Sequence, residues 1–169
     1  MALYKGNKNN DRYSNNNNNR NYNRNNNGNY STNYKKREEE IVNIDVEIIN
    51  YLKNPKSVEL YKLFNEEDGI IRKQFNVKGG SQLRKFYNTV VDINDKYENM
   101  KLAKGKLAMI LPIVYYSKER KLLDRGNIIS TFINQAVKTL NDIDNESQFK
   151  DSLKAFKNVF QAVIAYTKE

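Results

Sequence analysis

Apolar side chains along most of this chain recur three and four positions apart, and no stretch alternates cleanly with period two. Spacing of three and four puts side chains on one face of an α-helix, whereas a half-buried strand needs alternation. The chain therefore has helical stripes to bury and no strand faces, which predicts an all-α bundle of about five to six helices. The first stripe is Ile41, Ile44, Ile48, Ile49 and Leu52, after the run Glu38-Glu39-Glu40, whose charge suits a helix N-terminus. Asn54-Pro55 breaks it, and Val58, Leu60, Tyr61 and Phe64 make a short second helix that stops near Gly69. A loop at 76–80 follows, and Ser81 reads as the N-cap of a helix with Leu83, Phe86, Tyr87, Val90, Ile93 and Tyr97 on one face. The next helix covers about 101–118, with Leu107, Ile110, Leu111, Val114 and Tyr115 near one face. Pro112 should kink or break it. Stripes from Ile128 to Leu140 and from Phe149 to Ile164 make the last two helices.

The N-terminal segment has no such pattern. Residues 1–34 hold 15 Asn and 5 Tyr but no Val, Ile or Phe. A segment this polar cannot bury enough apolar area to offset the entropy of ordering. It reads as a disordered low-complexity tail over 1–36, with one helical domain over 37–169. The domain is long enough for one real core. No apolar run reaches the length of a membrane span and the N-terminus has no apolar h-region, so a cytoplasmic protein is expected.

The composition removes most catalytic chemistry. Cys and His are both absent. There is no thiolate or imidazole to act as nucleophile, general base or metal ligand. Asp92 and Asp95 could share a helix face, but Lys96 beside them supplies a plain surface partner. No glycine pattern for a nucleotide exists, and no cofactor or metal is expected.

Charge is what the chain does offer. Its formal net charge is +9, distributed in blocks of about +7 over 1–37, −6 over 38–71, +8 over 72–125 and zero over 126–169. A basic block inside a folded domain is the footprint of a polyanion, most often nucleic acid, or else a solvated Lys-rich surface. Within it, Lys78-Gly79-Gly80-Ser81 leads into a helix that begins with Arg84 and Lys85. Two glycines, a helix start and a basic pair together can form a phosphate seat; the alternative is an ordinary capped helix. The second cluster is Lys101, Lys104 and Lys106, followed by Lys118, Arg120, Lys121 and Arg125. Those near 118–121 could complement a helix dipole instead of a polyanion. Tyr116 could stack on a base or pack in the core, and the core reading is preferred.

Three segments resemble a known family. Ser81-Gln82-Leu83-Arg84-Lys85-Phe86-Tyr87-Asn88 resembles a signature of the small helical subunit of type III-A CRISPR (Csm) effector complexes. The segment 106–120 is similar to that family's second signature at Lys106, Pro112, Tyr116 and Arg120. Phe156 to Tyr166 is similar to its C-terminal motif, so the resemblance covers about residues 40–168. At Leu111 and Ile113 the chain is apolar where family members often carry basic residues.

The resemblance implies a non-catalytic RNA-binding subunit acting in antiviral defence. Several copies would stack along the complex beside the other Csm subunits. They would line the groove where guide RNA pairs with target RNA, touching phosphates and 2′-hydroxyls. The competing reading is a helical protein–protein scaffold whose lysines are solubility charges.

Overall fold

The structure, a computed structural model, describes residues 42–124 and 126–168. The expected tail and the Glu38–Glu40 run lie outside these residues, as does Arg125. Among the described residues there are eight helices and no strand. They are α1 (Val46–Lys53), α2 (Leu60–Phe64), α3 (Ile70–Gln74), α4 (Leu83–Asp95), α5 (Met100–Ala108), α6 (Ile110–Glu119), α7 (Ile128–Asn141) and α8 (Glu146–Tyr166). The expected all-α class holds, with more and shorter helices than the stripes predicted.

Each difference has a local cause. Helix α1 starts at Val46 because the residues before it are committed elsewhere. The Asp45 amide donates to Gln74 Oε1 at 3.1 Å, and Gln74 Nε2 donates to the Asn43 carbonyl at 2.8 Å. Asp45 then caps the helix by accepting from the Glu47 amide at 2.9 Å. The extra helix, α3, is one turn that places Ile71 and Phe75 in the core. The expected helix over 101–118 is two helices. Proline removes its own amide donor and its ring crowds the carbonyl four residues back. For Pro112 that carbonyl belongs to Ala108, where α5 ends, and Pro112 falls in the first turn of α6.

Ser81 is not the cap of α4. Gln82 holds that position with no side-chain bond to the helix, and its own amide donates to the Leu122 carbonyl at 3.2 Å.

Helix α8 is the axis of the bundle and packs on α1, α3, α4, α5 and α7. Its buried line includes Phe149, Leu153, Phe156, Phe160 and Val163. Phe132 of α7 meets Phe75, Phe156 and Phe160 with ring centroids 5.3, 5.6 and 5.7 Å apart, all near edge-to-face. That geometry is the favoured one for aromatic quadrupoles. Helices α4 and α8 run in opposite directions. Tyr97, just past α4, donates to Glu146 Oε1 at 3.0 Å, while Gly79, just before α4, bonds to Lys168. Burial, aided by Glu146, pushes the Tyr97 hydroxyl up to about 12.

The end of α6 is shaped by a left-handed residue. Lys121 has φ of 54°, its amide donates to the Lys118 carbonyl at 2.8 Å, and the Leu122 amide donates to the Ser117 carbonyl at 2.9 Å. This is the Schellman pattern, whose left-handed position usually holds glycine because a Cβ there crowds the backbone. Lys121→Gly should therefore stabilise the fold by about 0.5–1 kcal/mol. Thermal unfolding checks this: a midpoint that falls means the lysine side chain contributes packing that outweighs the strain.

Candidate nucleic-acid interface

The glycine loop joins three parts of the chain. The Gly79 amide donates to the Lys168 carbonyl at 2.8 Å, and the Lys168 amide donates to the Val77 carbonyl at 2.9 Å. The Gly80 amide donates to the Leu123 carbonyl, beside the Gln82–Leu122 bond already described. A Cβ built on Gly80 would lie 1.9 Å from the Leu122 carbonyl oxygen. The two glycine amides are thus engaged within the fold, and what the glycines bring close is protein backbone. Gly80 is there so that the α6–α7 loop can press against the start of α4.

That close approach assembles cations from distant segments. Lys78 and Lys168 are bridge partners, and both are exposed. Arg84 and Lys168 line one groove of about 560 Å³, together with Ser81, Thr167 and the apolar Leu83 and Ile164. Lys85 is exposed on the next position of α4. Lys121 directly precedes Leu122, so the end of α6 joins the same region. Two hydroxyls and several cations around an open groove can engage phosphate and ribose oxygens without reading base edges.

Sequence reasoning missed Lys168, because it belongs to a neutral block and reaches the site only through its backbone pairing with the loop. Ser81 and Thr167 were also missed as candidate contacts. No spacing signal links residues 78 and 168.

The α5 lysines occupy a different place. Lys104 Nζ donates to the Asn141 carbonyl at 2.8 Å, near the end of α7, and lies 6.0 Å from the Phe149 ring centre. Its side chain is only 18% exposed, and Asp144 is 3.9 Å away. It complements the α7 C-terminus, where cations are favoured. Lys106 pairs with Glu98 at 3.8 Å, and Lys101 is exposed. These contacts sit toward the Tyr97 end of α4, about 20 Å along that helix from the glycine loop.

Tyr115 and Tyr116 are not core residues. The buried line of α6 is Ile110, Val114 and Ser117, so the two tyrosines point away from it and are 67% and 52% exposed. The Arg120 guanidinium lies over the Tyr116 ring, 4.6 Å from its centre.

A buried carboxylate fastens the α6–α7 loop. Asp124 Oδ2 accepts from the Ile128 amide at 2.8 Å and does the capping that Asn127, itself left-handed at φ 61°, does not. Burial pushes the Asp124 carboxyl above its ordinary value of 3.8; the amides of Ile128, Ile129 and Gly126 pull the other way. An acid raised on folding stabilises fully only below its unfolded pKa, and that contribution is lost as pH rises through the folded value. Asp124→Asn keeps the acceptor for Ile128 and removes the ionisation. The variant should therefore gain stability relative to the parent as pH rises from about 3 to 7. Paired unfolding curves across that range check it; a constant difference means Asp124 ionisation does not affect stability.

Among the described residues the fold is helical, with a basic groove at one end of its longest helix, and no helix is long and apolar enough to cross a membrane. The family model for Csm2 Type III-A matches residues 58–169. The chain belongs to this Csm2 family, the small subunit of type III-A CRISPR effector complexes. Neither a curated protein nor a solved structure matches it significantly.

Proposed function

We propose that this chain is a non-catalytic subunit that holds RNA in a type III-A effector complex through sequence-independent backbone contacts. The observation that carries this reading is the meeting of Arg84 at the α4 start with Lys168 on one groove, with Lys78 bridged to Lys168 beside it, within the segment matched by the family. Contacts to phosphate and 2′-hydroxyl groups suit a subunit whose guide RNA reads the sequence. In this reading several copies stack beside the other Csm subunits along the guide–target duplex. Lys118, Arg120 and Lys121 extend the contact surface from the groove. Lys101 and Lys106 are peripheral, and Lys104 is structural. The protein would act in antiviral defence in the cytoplasm.

The test is RNA binding over a salt series with the full chain. Affinity should fall steeply with salt, and two unrelated sequences of equal length should bind alike. Arg84→Ala with Lys85→Ala should weaken binding and flatten the log–log salt slope by about 0.7 per lost contact on a single strand. Helicity should persist, because alanine is the best helix former. Co-purification with Csm subunits but no RNA binding at any salt would favour the scaffold reading instead.

A further inference from the structure

We propose that Tyr116 and Arg120 form a stacking platform for an unpaired RNA base. The inference rests on the RNA-contact reading above and adds a contact to the base itself. Met109, Ile113 and Tyr116 follow one another at spacings of four and three on the solvent side of α5–α6, at 73%, 58% and 52% exposure. A contiguous apolar stripe left in solvent and rimmed by polar residues is a surface of the kind that marks an interaction site.

The charge around it says which kind. Lys118, Arg120 and Lys121 follow Tyr116 within five positions, with the Arg120 guanidinium over its ring and Glu119 as the one carboxylate among residues 118–121. Their balance favours a polyanion over an acidic-poor protein surface. A protein face would also need more than three side chains to bury a stable contact area.

A nucleobase fits the shape and the chemistry. Bases stack on aromatic rings and on the planes of arginine guanidinium groups, without preference for sequence. Here the two groups already lie over one another at 4.6 Å. A base in a duplex is stacked between its neighbours, so the platform takes one that is unpaired or displaced from the helix. The cations at 118–121 then meet the phosphates of that nucleotide and its neighbours.

The experiment compares a short single-stranded RNA with an abasic strand of the same length and phosphate count, using the full chain. The parent should bind the intact strand about tenfold more tightly, the scale expected of one stacked base. Tyr116→Leu should abolish that preference while keeping the affinity for the abasic strand and its salt slope. Tyr116→Phe should retain the preference. The chain contains no Trp. Tyr116→Trp therefore installs a single reporter, whose fluorescence should be quenched by the intact strand and not by the abasic one. Equal affinity of the parent for both strands overturns the platform and leaves the backbone-contact reading standing. Binding to neither strand overturns both. Loss of co-purifying subunits in Tyr116→Leu, with the RNA preference intact, assigns the stripe to a protein and also overturns the proposal.

Discussion

Gly80→Ala is expected to cost about 3 kcal/mol, lowering the unfolding midpoint by about 10 °C. The added methyl would sit 1.9 Å from the Leu122 carbonyl oxygen and 2.8 Å from the Leu123 amide nitrogen. Backbone atoms cannot swing aside as a side chain can, so the α6–α7 loop must lift. Lifting it breaks the Gly80–Leu123 and Gln82–Leu122 bonds together. Gly79→Ala is the control. Its methyl meets the Thr167 side chain at 3.3 Å, which a small shift relieves. In the RNA-binding reading the Gly80 variant also loses affinity, although no cation has been removed, because Lys121 moves away from Lys78 and Arg84. Thermal unfolding and RNA titration of both variants check this. Equal midpoints for the two would mean that the loop docks loosely and that its geometry is not what assembles the groove.

Phe132→Ala should be at least as damaging, at about 3–5 kcal/mol. The side chain is fully buried and touches three other aromatic rings, drawn from the end of α3 and from α8. Removing it leaves a cavity where three elements meet, and none of the three can collapse into it without leaving the others. Urea unfolding should show a lower midpoint with an unchanged slope. Phe132→Leu should fall between the variant and the parent, because most of the volume is kept. If the alanine variant unfolds like the parent, α8 holds the bundle without this cluster.

The helices were legible where one stripe meets one neighbour. Leu83, Phe86, Val90 and Ile93 were read as a face, and that face is buried against α8. The break at Pro112 was also legible, because its cause is covalent. What could not be read was α6. Its buried line passes through Ser117, a residue that hydropathy counts as polar, so the pattern appeared to run through Tyr115 instead. Helix α3 was invisible because one turn gives no period to recognise.

The candidate site divides in the same way. Its basic residues on α4 and α6 stood out by local charge. The use of the glycines did not, because Gly-Gly before a helix looks the same whether a ligand or another loop approaches. Only the fold shows that Leu122 and Leu123 are the groups that come close. The segments of the resemblance at 81–88 and 106–120 both fall within the family match.

The pairing of the loop with the end of α8 sets an order in time. Val77 and Gly79 are held by Lys168, about ninety positions later in the chain. During synthesis the first half of the groove leaves the ribosome seconds before the residue that closes it, since translation adds about 5–20 residues per second. A nascent chain therefore carries Lys78 and Arg84 without their final arrangement. In the RNA-binding reading, the groove is the last part of the contact surface to take its final form, after Lys118, Arg120 and Lys121 have already been made.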